Sequence, residues 1–172
     1  MFEALSKQTG LWELELSGRV FARAPETVHQ DRREKLVQAI TSLRELHTLV
    51  LAEVLQHDNL KCIIQSLPQL KNINLKVKDL NDHCLEALSG LICAQTIKIH
   101  SRSSTATAEA TRRFLEAVAV NGSGKRFDQL FIWFRTFGLH EGFTKQDFIE
   151  LKQFMKTRLG GDVKFTLTPR PF

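Results

Sequence analysis

Two clusters of residues in this chain have the types and spacing that could carry chemistry or recognition. The first, Asn121-Gly122-Ser123-Gly124-Lys125, has the composition of a phosphate-binding loop. Such a loop needs another glycine five positions before Gly124 so that the backbone can wrap a phosphate, and Ala119 stands there. The segment also follows a helical pattern instead of joining a strand to a helix, so it reads as a solvated turn. The histidines at 29, 47, 57, 83, 100 and 140 are scattered, with no pair at helical metal-ligand spacing. Asp82-His83-Cys84 places neighbours on different sides of a helix, with His83 at the surface, and no metal site is expected. Cys62, Cys84 and Cys93 lie in apolar surroundings that disfavour thiolate and read as reduced, small core residues. With no Gly-x-Ser-x-Gly elbow and no strand-linked Gly-x-Gly-x-x-Gly, neither enzymatic activity nor a cofactor is expected.

The second cluster is Leu130-Phe131-Ile132-Trp133-Phe134-Arg135. A strand with one buried face alternates apolar and polar residues, and Phe131 and Trp133 occupy the polar phase. Large rings beside arginine are the usual composition of interface hot spots.

The elements that must position this cluster come from a repeat. A Leu-x-x-Leu-x-Leu signature occurs at Leu11/Leu14/Leu16, Leu46/Leu49/Leu51, Leu70/Ile73/Leu75, Ala94/Ile97/Ile99, Phe127/Leu130/Ile132 and, decayed, Asp162/Phe165/Leu167. Middle positions are 35, 24, 24, 33 and 35 residues apart, which brackets the period of leucine-rich repeats. Each copy alternates like a short strand. Between copies, apolar residues three and four apart predict helices over 33–43, 59–67, 82–91, 108–120 and 145–159. Thr144 with Asp147 resembles a capping box, Gly160-Gly161 supplies a helix stop, and Pro68 falls just past a helix end. Short links between alternating strands and helices predict a parallel sheet. Phe2-Glu3-Ala4-Leu5-Ser6 echoes Leu85-Glu86-Ala87-Leu88-Ser89 at the same distance from the next strand. The chain is therefore expected to begin in the second half of a helix, as the C-terminal part of a longer solenoid.

These residues resemble leucine-rich repeat proteins of the ribonuclease-inhibitor-like type, the clearest copy being Leu70-Lys71-Asn72-Ile73-Asn74-Leu75 followed by Leu80 to Leu88. The resemblance implies one α/β domain over 1–172, a horseshoe with a concave parallel sheet of about six strands and convex helices. It extends to repeats of nucleotide-binding innate immune receptors and F-box substrate receptors. Those imply ligand sensing, regulation of an upstream module, or substrate holding for ubiquitination. The family places Asn or Cys three residues after the last strand leucine; here stand Arg19, Val54, Lys78, Arg102, Arg135 and Arg170. The internal ladder must be absent or differently built. A doubly wound sheet, with helices on both faces, is the competing architecture, and the polar face of the first, third, fourth and sixth strands disfavours it.

With the leucines turned inward, the intervening residues form rows on an open face. One row reads Glu15, Val50, Asn74, Lys98, Phe131 and Thr166; the next reads Ser17, Ala52, Lys76, His100, Trp133 and Thr168. The substituted ladder positions add a basic rim if the strands extend that far. Lys76, Lys98, His100, Arg102, Phe131, Trp133 and Arg135 are therefore the expected partner-binding residues. The alternative reading has the 102–107 segment fold over the rings and make them core.

A net charge of +5 and a pI near 9.3 suit an acidic or phosphorylated protein partner. Nucleic acid is disfavoured, because no RNP, zinc-finger or helix-turn-helix signature accompanies the basic residues. The 42% hydrophobic content fits one substantial core. No apolar run suggests a membrane span and no secretory signal opens the chain, so cytoplasm or nucleus is the expected compartment.

Overall fold

The computed structural model describes residues 2–16, 26–121, 131–135 and 143–158. The elements alternate as α1 (Phe2–Ser6), β1 (Glu13–Leu16), α2 (Glu26–Thr41), β2 (Thr48–Leu55), α3 (His57–Ser66) and β3 (Asn72–Leu80). They continue as α4 (Asp82–Leu88), β4 (Thr96–Ser104), α5 (Ala108–Asn121), β5 (Phe131–Arg135) and α6 (Lys145–Arg158). The sixth expected strand, the Gly122–Lys125 segment, Gly160-Gly161, Arg19 and Arg170 lie outside the described residues.

The five strands form one parallel sheet in chain order, β1-β2-β3-β4-β5. A doubly wound sheet reverses its strand order part-way, so this order removes that alternative. Each helix packs against the next along the chain, α1 on α2 through to α5 on α6. Parallel strands advancing in one direction through crossovers of one hand place their helices in a single layer.

Period-two patterning then decides what is buried. In β3, Ile73, Leu75 and Val77 are buried while Asn72, Asn74, Lys76 and Lys78 are half-buried or exposed. The buried side meets Leu36 and Ile40 of α2, Ile63 and Ile64 of α3, Leu85 and Leu88 of α4, and Phe114 and Leu115 of α5 in one apolar cluster. Three- and four-residue spacing on each helix supplies the matching stripe.

A repeated main-chain bond pins successive strands at their N-terminal edge. The Trp12 carbonyl accepts from the His47 and Thr48 amides at 2.9 and 3.1 Å. His47 accepts from Lys71 and Asn72 at 2.8 and 3.0 Å, and Lys71 accepts from Gln95 and Thr96 at 2.7 and 3.0 Å. Three carbonyls at one repeat position thus each satisfy two amides of the following copy, where backbone groups would otherwise lack partners.

The structure corrects three expectations. The middle strands are not short: β2, β3 and β4 run for 8, 9 and 9 residues. The extension of β3 and β4 is held by hydroxyls and Asp79 instead of an Asn ladder. Ser103 Oγ donates to Asp79 Oδ1 at 2.9 Å, Thr105 Oγ1 donates to Asp79 Oδ2 at 3.1 Å, and the Leu80 amide donates to Ser101 Oγ at 3.1 Å. The expected loop from Arg102 therefore begins as strand. Second, Cys62 is exposed and only Cys84 is buried, although all three cysteines are free. Third, the register differs at two places. Ile132, not Leu130, pairs with Ile97. In β2, a shift between Val50 and Val54 sets Val54, not Ala52, beside Lys76.

Candidate partner-binding face

The open side of the sheet is built from the alternate positions that the core leaves outward. Pairing across strands gives three rows. The first runs Glu13, Thr48, Asn72, Thr96 and Phe131; the second runs Glu15, Val50, Asn74, Lys98 and Trp133. The third joins Val54, Lys76, His100 and Arg135. Lys78 and Arg102 sit between the pairs Val77–Ser101 and Asp79–Ser103. The two-residue correction in β5 puts Trp133 beside Lys98 and Arg135 beside His100, whereas the leucine spacing had put Phe131 and Trp133 there.

All seven expected partner-binding residues therefore fall on three neighbouring strands. Lys76 is exposed, and Lys98 and His100 are half-buried. Arg102, Phe131, Trp133 and Arg135 are placed by backbone register alone; their side chains, and hence the choice between open and covered rings, lie outside the described residues. Within the first row, Asn72 Nδ2 donates to Thr48 Oγ1 at 3.3 Å, a cross-strand contact that steadies the amide.

A further exposed aromatic escaped the sequence reading. Trp12 is 60% exposed, its ring meets His47 edge-on at 4.6 Å between centroids, and Lys71 Nζ lies 5.7 Å from the indole centroid. These three side chains belong to the residues whose carbonyls carry the main-chain rungs, so they form a strip along one edge of the sheet. The cation over the ring face is a favourable quadrupole contact. The missed signal was positional: Trp12, His47, Lys71 and Gln95 each follow the first residue of a repeat signature.

On the helical side, Thr107, Glu109, Arg112, Asp147 and Glu150 line a cleft of about 400 Å³ between the starts of α5 and α6. Arg112 lies 3.7 Å from Glu150. The expected capping box is present: the Thr144 amide donates to Asp147 Oδ2 at 2.7 Å, and the Asp147 amide donates to Thr144 Oγ1 at 3.2 Å. The Thr144 hydroxyl and amide hold the Asp147 carboxyl below the usual range, because both bonds favour its ionised form. These carboxylates are thus engaged in structure.

Other reactive groups are dispersed. Burial pushes the Cys84 thiol up, away from nucleophilic thiolate, and its Sγ donates to the Asp79 carbonyl at 3.4 Å. His57 and His83 approach to 5.8 Å between centroids on the helix surface, beside Asp58 and Glu86. Among the described residues no group of three or more side chains is arranged to hold a metal ion, and no helix is long and apolar enough to cross a membrane.

The chain matches no protein-family model, no curated protein and no solved structure.

Proposed function

We propose that this chain is a leucine-rich repeat solenoid whose open sheet face recognises a protein partner, as the sensing or regulatory region of an intracellular receptor of the innate-immune type, without enzymatic activity. The observation that carries the reading is the identical two-amide rung at Trp12, His47 and Lys71, combined with strands in chain order. Each copy contacts its neighbours and buries its apolar side against them, the energetic plan of repeat proteins. That plan leaves one sheet face free of helices, and on it Lys98 stands in register with the backbone of Trp133 and Lys76 with that of Arg135, with Lys78 two residues further along β3. Arginine and aromatic residues grouped this way suit an acidic or phosphorylated segment.

The test is capture of partners from cell extract by the native chain beside Lys76→Glu/Lys78→Glu and Trp133→Ala variants, at low and high salt. A protein retained by the native chain and lost with correctly folded variants is the expected result. Equal retention by all three would move recognition off this face. Unfolding of Trp133→Ala would mark that ring as core and leave the lysine variant to decide. Retention that is nuclease-sensitive and salt-labile would replace the protein partner by nucleic acid.

A further inference from the structure

The charges on the open face are sorted by strand. The two outward positions of β1 are both acidic, Glu13 and Glu15, and both are exposed. The β2 positions paired to them and onward, Thr48, Val50 and Val54, carry no charge, while Glu53 falls inside the register shift and its side chain lies outside the described residues. On β3 the outward sequence is Asn72, Asn74, Lys76, Lys78, with both lysines exposed, and on β4 it is Thr96, Lys98 and His100, with Arg102 next in the backbone alternation. The one carboxylate in the sequences of these two strands, Asp79, is half-buried and engaged by Ser103 and Thr105. The second row passes in a single line from Glu15 through Val50 and Asn74 to Lys98. An acidic margin, a strand uncharged at its paired outward positions and a basic region thus follow one another across the sheet.

We infer that this face binds its partner in one orientation, taking an extended, bipolar peptide segment that lies across the strands with basic residues over β1 and acidic residues over β3 and β4. The inference rests on the recognition reading above and adds the chemistry and direction of what is recognised. The spacing follows from the sheet. Strands about 4.8 Å apart put β3 and β4 roughly 10–14 Å from β1, and an extended chain rises about 3.3 Å per residue. The two charged ends of the partner are therefore separated by about three or four residues. A uniformly acidic segment long enough to cross the face would gain Lys76 and Lys78 but meet Glu13 and Glu15, a like-charge juxtaposition that selects against it. Val50 and Val54 between the charged regions offer an apolar middle to the same segment.

Three fluorescent peptides test this on the full chain: Lys-Lys, two neutral residues, Glu-Glu; the same six residues with the charges alternating; and an all-glutamate peptide of equal length. The segregated peptide is expected to bind roughly three- to tenfold more tightly than the alternating one, the scale of two exposed ion pairs. Glu13→Lys/Glu15→Lys should erase that advantage and raise the affinity for the all-glutamate peptide. Since all four charged side chains are exposed, circular dichroism of these variants should match that of the native chain. Equal binding of the segregated and alternating peptides, or indifference to the Glu13/Glu15 reversal, overturns the polarity. If the all-glutamate peptide binds best and depends only on Lys76 and Lys78, polarity fails while recognition on this face stands. If no peptide binds, polarity fails, and the fate of the recognition reading is given separately by whether Lys76→Glu/Lys78→Glu still loses captured protein.

Discussion

Single side chains close the starts of several helices in this chain, and two of these caps make sharp predictions. Asn81 opens α4 by accepting the Cys84 amide at 3.0 Å. Asn81→Ala should lower stability by about 1 kcal/mol, the usual worth of such a cap, seen as a lower urea midpoint at unchanged slope. At α6 the reciprocal Thr144–Asp147 bonds depress the Asp147 pKa, so the sign of the pH effect is fixed. A carboxyl whose folded pKa is lowered contributes stability above its unfolded value, about 3.9, and loses it as pH falls through the lower folded value. NMR titration should place Asp147 below an ordinary aspartate, and Thr144→Ala should move it back up; an unmoved titration would reject the hydroxyl as the cause. The Thr144–Asp147 spacing made this cap readable from sequence. Trp12 was unreadable because its exposure depends on which residue of each copy turns outward at the sheet edge, which leucine spacing alone does not specify.

Among the elements, burial separates neighbours in β3 that differ by one position. Leu75 is fully buried, so Leu75→Ala should destabilise by about 2–5 kcal/mol, whereas Lys76→Ala should change stability by no more than about 0.5 kcal/mol. Comparable losses in denaturant would show that the strand does not have the two faces described. Helix positions were legible because each presents an apolar stripe to the sheet. The start of α2 was the main exception: the helix begins at Glu26, seven residues before the expected start at 33, and residues 30–32 are polar and exposed, so they offer no apolar stripe to read. Strand register was less legible. Leu130, Ile132 and Phe134 alternate alike, so a slip of two keeps the same faces and only pairing with Ile97 resolves it. That slip decides whether Phe131 or Trp133 stands beside Lys98, which is why the outward residues were legible as a group while their neighbours were not. The strand ends were hidden for another reason. Asp79 and the serines that extend β3 and β4 are turn-forming types, and only their mutual hydrogen bonds reveal an extended backbone.

Taken as a whole, the molecule is bonded mainly between successive copies, and hydrogen exchange offers a direct view of that arrangement. The amides of His47, Thr48, Lys71, Asn72, Gln95 and Thr96 all close onto rung carbonyls. They should exchange slowly compared with amides in the exposed turns, with the rung onto Lys71 opening together with β4 instead of independently; scattered, unrelated rates along this edge would contradict it. The rungs also tolerate unequal numbers of intervening residues. From Trp12 to His47 the chain takes 35 residues, yet from His47 to Lys71 and again to Gln95 it takes 24. Part of the surplus is absorbed by α2, 16 residues long against 10 in α3, while the edge closes with the same pair of bonds. The edge thus acts as a coupling of fixed gauge between units of variable bulk. A lineage, or an engineer, can enlarge one unit on its helical flank without re-spacing the others, so growth of the protein need not disturb the outward face of the sheet.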